Sequence, residues 1–94
     1  MKYQLIVQMR GDDFDALIGL EDAIAARLGE IGDVDGHDIG NGEMNVFVLT
    51  DDPNRAFERI KPVVPVGCTV AYRETKSDAY TLLSPPGLQN FKIT

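Results

Sequence analysis

Asp33-Val34-Asp35-Gly36-His37-Asp38 is the densest grouping of side chains with chemical potential in this 94-residue chain. In an extended strand alternate residues share a side, so Asp33, Asp35 and His37 are expected to project together. Two carboxylates and an imidazole suit a divalent cation, or a general base oriented by a carboxylate, which Asp35 or Asp38 would supply. The spacing departs from the calcium-loop pattern, whose fifth and sixth positions require an oxygen ligand and a glycine; here they are His37 and Asp38. The same residues also read as an edge strand whose charges keep it from pairing with other chains. Asp33, Asp35, His37 and Asp38 are therefore the candidate ligand- or partner-binding residues. No catalytic residue, no metal ligand set and no cofactor is assigned.

The other reactive side chains stand alone. His37 is the single histidine and Cys68 the single cysteine. Cys68 opens an apolar strand and reads as a small buried hydrophobe; with the imidazole in a distant hairpin, no Cys–His nucleophile is expected. One cysteine closes no internal disulfide, which excludes a disulfide-stapled scaffold. Arg10-Gly11-Asp12-Asp13 lies between a strand and a helix, where a helix N-terminus attracts anions, but its carboxylates would repel a phosphate.

Charge narrows the partners. Nine Lys and Arg stand against fifteen Asp and Glu, and twelve of those acids fall between Gly11 and Asp52, where Arg27 is the single base. Polyanion binding depends on bases placed against phosphates, so nucleic acid and anionic lipid are excluded as expected partners. A basic protein is the partner such a surface would attract. No apolar run approaches the roughly 20 residues of a membrane span, and the start lacks a secretory signal pattern, so a cytoplasmic location is expected.

The elements that position these residues follow from periodicity. Tyr3, Leu5, Val7 and Met9 alternate with polar neighbours as a half-buried strand. Leu17, Leu20, Ile24, Leu28 and Ile31 recur at helical steps; Asp12 or Asp13 can cap that helix, and Gly29 and Gly32 stop it. Asp33 to Ile39 is a weak strand, joined through the turn pair Asn41-Gly42 to Met44–Thr50, which is apolar on both faces and therefore interior to its sheet. Asp51 or Asp52 with Pro53 begins a second helix, carrying Ala56, Phe57 and Ile60 and ended by Pro62. Cys68, Val70 and Tyr72 alternate along the last main strand. The order βαββαβ predicts an α+β, ferredoxin-like two-layer sandwich, a four-stranded antiparallel sheet with two helices on one face.

One domain spans 1–94, with a core of about 1–74 and a C-terminal extension over 75–94. Its Tyr80-Thr81-Leu82-Leu83 and Asn90-Phe91-Lys92-Ile93 stretches flank a Ser84-Pro85-Pro86-Gly87 elbow. The extension is expected to cover the open sheet face or add an edge strand, in the same chain or in a homodimer partner.

Several ferredoxin-like families share this order of elements. Acylphosphatases carry an arginine at the end of the loop after the first strand, where this chain has Gly11-Asp12-Asp13-Phe14. Heavy-metal-associated domains carry a Cys-x-x-Cys there, which is absent. RNA-recognition motifs carry basic and exposed aromatic residues on the third strand, unlike Asn45-Val46-Phe47-Val48-Leu49. Amino-acid-binding ACT domains are similar in topology. The stretch Val34–Asn45, continuing to Thr50-Asp51-Asp52-Pro53, resembles small uncharacterised bacterial proteins of this topology, which implies a fold and no activity. The function expected is a non-enzymatic interaction module with an acidic surface. The alternative is a ligand- or metal-binding regulatory domain, or a small enzyme of the dimeric ferredoxin-like kind, using the Asp33-His37-Asp38 hairpin.

Overall fold

A computed structural model of the chain describes residues 1–85. Strand β1 (Tyr3–Arg10) leads to helix α1 (Phe14–Leu28), a hairpin of β2 (Gly32–Gly40) and β3 (Glu43–Thr50), helix α2 (Pro53–Ile60), β4 (Thr69–Glu74) and β5 (Thr81–Ser84). A single 3-10 turn, Lys61–Val63, follows α2 and contains the Pro62 that stops it. All pairings are antiparallel and the sheet order is β2-β3-β1-β4-β5.

Among the described residues the fold is thus α+β with two helices, but its sheet has five strands where four were expected. The fifth comes from the extension. Leu82 and Thr81 pair with Ala71 and Tyr72, so Thr81–Ser84 adds an edge strand within the same chain. Leu83 reaches the core from it. The remaining expectation, for Asn90-Phe91-Lys92-Ile93, lies outside the described residues.

Both helices pack on one face of the sheet. Leu5 and Val7 of β1, Met44, Val46 and Val48 of β3, and Val70 of β4 form one buried cluster with Leu17, Leu20, Ile24 and Leu28 of α1 and Ala56, Phe57 and Ile60 of α2. Each strand supplies alternate residues and each helix a three- and four-step stripe, which is what one shared layer demands. On the opposite face Gln8 Nε2 donates to Asn45 Oδ1 at 3.2 Å, beside the buried Ile6 and Ala71.

Local chemistry fixes the element ends. Asp13 and Asp52 accept from the backbone N–H groups of Ala16 and Arg55, both at 3.1 Å, capping α1 and α2. Asn41 and Gly42 take left-handed conformations, φ 55° and 74°, as a two-residue hairpin turn of matching twist requires. Thr50, fully buried, donates its hydroxyl to the Ile31 carbonyl at 2.7 Å and accepts from Asp52 N–H at 3.1 Å, tying the start of β2 to the start of α2. Arg73 donates to Gln4 Oε1 and to the carbonyls of Glu74, Thr75 and Ser77, bracing the turn after β4. No helix among the described residues is long and apolar enough to cross a membrane.

Candidate functional site

The candidate residues all lie on β2, the outermost strand on one side of the sheet. Val34 pairs with Val48 but Gly36 pairs with Phe47, so β2 carries one residue more than β3 can match. This is a β-bulge, and Asp35 is the extra residue. Gly36 has φ 132°, in a region that residues with a Cβ rarely adopt, which is why the bulge falls here.

The bulge breaks the expected alternation. Because side-chain direction has a period of two, one inserted residue sends everything beyond it to the other face. Asp33, opposite Leu49, and Asp38, opposite Asn45, belong to the helix-free face. His37, opposite the core residue Val46, belongs to the helix face. The expectation that Asp33, Asp35 and His37 share a side is therefore corrected, and neither Asp35 nor Asp38 orients the imidazole.

Helix α1 supplies the partner instead. His37 Nδ1 lies 2.9 Å from Glu21 Oε1, and the ring stands edge-on to Phe14, with centroids 5.6 Å apart. Phe14 and Glu21 are seven residues apart, two helical turns, and so line one stripe of α1 facing the strand. Sequence reasoning missed both. The available signal was Gly36 itself, since an isolated glycine within a strand pattern marks a bulge.

Asp33, Asp35 and Asp38 are exposed, and among the described residues none forms a hydrogen bond or ion pair. The same holds for Asp12, Asp15, Asp22 and Glu30, on and beside α1, which packs chiefly over β2. Asp12, Asp15 and Asp22 on and beside the helix and Asp33, Asp35 and Asp38 on the strand it packs over make this edge of the molecule acidic, whereas Glu30 lines a pocket with Arg55 and Arg59. Among the described residues no three His, Cys, Asp or Glu side chains converge as a metal ligand set.

Cys68 is buried just ahead of β4, and burial pushes its thiol above the ordinary value of 9.0, which suppresses the thiolate. Two strands, β1 and β3, separate it from the imidazole on β2. No family model, curated protein or solved structure matches this chain.

Proposed function

We propose that this chain is a non-enzymatic interaction module, a split-βαβ core extended by one strand, whose acidic α1–β2 side docks a basic protein. The observation that carries this reading is the set of six exposed carboxylates on and beside α1 and on β2, Asp12, Asp15, Asp22, Asp33, Asp35 and Asp38, without a basic partner among the described residues. Like charges left uncompensated repel one another, and a cationic surface placed against them relieves that repulsion. The docking is electrostatic rather than by strand addition. The bulge kinks β2 and its side chains carry charge, both of which oppose pairing with another strand.

The test is a titration with a panel of folded basic proteins at low and physiological salt. Changing Asp33, Asp35 and Asp38 together to Asn is expected to weaken binding about tenfold at low salt and to flatten its salt dependence. A control with Glu58, Glu74 and Asp78 changed to amides removes the same charge elsewhere and should have a smaller effect. Affinity that does not change with salt, or equal losses in the two variants, would remove the proposal.

A further inference from the structure

A second feature lies at the other end of β1, away from the acidic strand. The N–H of Thr75 donates to the carbonyl of Lys2 at 2.9 Å, so Lys2 and Thr75 form a hydrogen-bonded pair at the start of the β1–β4 ladder. In an antiparallel ladder such pairs recur at every second residue, which makes the even-numbered residues of β1 the ones whose main-chain groups point toward β4. The N–H of Gly11, an odd residue, donates the other way, to Gly42 of the hairpin, at 2.8 Å.

The β1–β4 ladder ends at Gln8 and Thr69. Arg10 is the next even residue, and among the described residues no strand faces it. The chain instead turns away through Pro65–Cys68, closed by Cys68 N–H on the Pro65 carbonyl at 3.3 Å. The gap is a cleft of about 840 Å³ between the end of β1, the hairpin turn and this loop, lined among others by Arg10, Gly42, Pro65, Val66 and Thr69. That volume is within the range of small-molecule sites. Arg10 has no side-chain partner among the described residues.

We infer that this cleft takes the carboxyl terminus of an extended peptide, with the terminal residue paired to Arg10. A hydrogen-bonded antiparallel pair exchanges two bonds, one N–H to carbonyl in each direction. The Arg10 N–H donates to one carboxylate oxygen, the Arg10 carbonyl accepts the terminal residue's N–H, and the guanidinium takes the second oxygen. Glu43 stands opposite Arg10 across the β1–β3 ladder, so a singly charged carboxylate with an adjacent N–H is favoured over a phosphate. The exposed Val66 lies over the peptide's path as it leaves the cleft.

The full chain, isotope-labelled, is titrated with N-acetyl-Ala-Ala at millimolar concentration, with its C-terminal amide and with acetate. Saturable shifts at Arg10, Gly11, Gly67 and Thr69 with the free carboxylate, weakened about tenfold or more in the amide, are the expected result. Arg10→Gln, at an exposed site, should retain the native amide spectrum and lose the shifts. Equal shifts with acetate would reduce the cleft to a simple anion site and overturn the inference. Equal shifts with the amide, or none with any probe, would overturn it too.

Discussion

His37 on β2 and Glu21 on the first helix are joined at 2.9 Å, sixteen residues apart, and their contact ties that edge strand to the helix layer through polar groups. The imidazole side chain is 31% exposed and the carboxylate 14%. Glu21→Ala is expected to cost about 0.5 to 1 kcal/mol after solvent screening, with Glu21→Gln retaining much of the bond. Urea denaturation of Glu21→Ala, His37→Ala and the double variant reads the coupling; fully additive losses would show that the pair contributes nothing.

The bulge makes a sharper prediction. Deleting Asp35 restores equal strand lengths, and the pairs Val34–Val48, Gly36–Phe47 and His37–Val46 then follow one another without a bulge, which keeps His37 on the helix face. The Phe14–His37 ring contact should persist in nuclear Overhauser spectra, together with the β1–β3 contacts. A lost ring contact would mean that the strand slides by one residue instead of closing the bulge.

Cys68 gives the pH dependence. Burial raises the folded thiol above its unfolded value, so the unfolded state loses its proton first as pH climbs. Stability is expected to be unaffected by this group at neutral pH and to fall as pH rises past about 9, the ordinary value. Melting temperatures of the native chain and of Cys68→Ala, compared across that range, isolate the thiol. Parallel curves would refute the assignment. Alkylation of the folded protein at neutral pH should be slow, and fast in denaturant.

Thr50 tests a buried polar link. Thr50→Val keeps the shape and removes the donor to the Ile31 carbonyl, leaving two groups to find new partners. The expected loss is about 1 to 3 kcal/mol, read by denaturant unfolding. A neutral result would mean that water replaces the hydroxyl.

The fold was legible wherever local chemistry and tertiary packing agreed. The stripe Leu17, Leu20, Ile24, Leu28 is buried, the caps Asp13 and Asp52 are in place, and the Asn41-Gly42 turn closes the hairpin. The double-sided β3 is interior, beside β1. The site was less legible because strand reading assumes unbroken alternation, and one extra residue at Asp35 reverses it. Glu21 lies in another element, so no linear spacing from His37 points to it. The fifth strand is short and sits next to β4 by a turn that Arg73 braces, a contact between residues that no periodicity relates.

The two outer strands resist fusion with other sheets by different means. At β5 the safeguard is brevity, four residues, and acid or salt leaves it untouched. At β2 the kink is permanent, but the electrical part of the safeguard consists of carboxylates whose repulsion salt screens. Colloidal stability is therefore asymmetric across the molecule. At high salt the β2 border is the one that loses its repulsion.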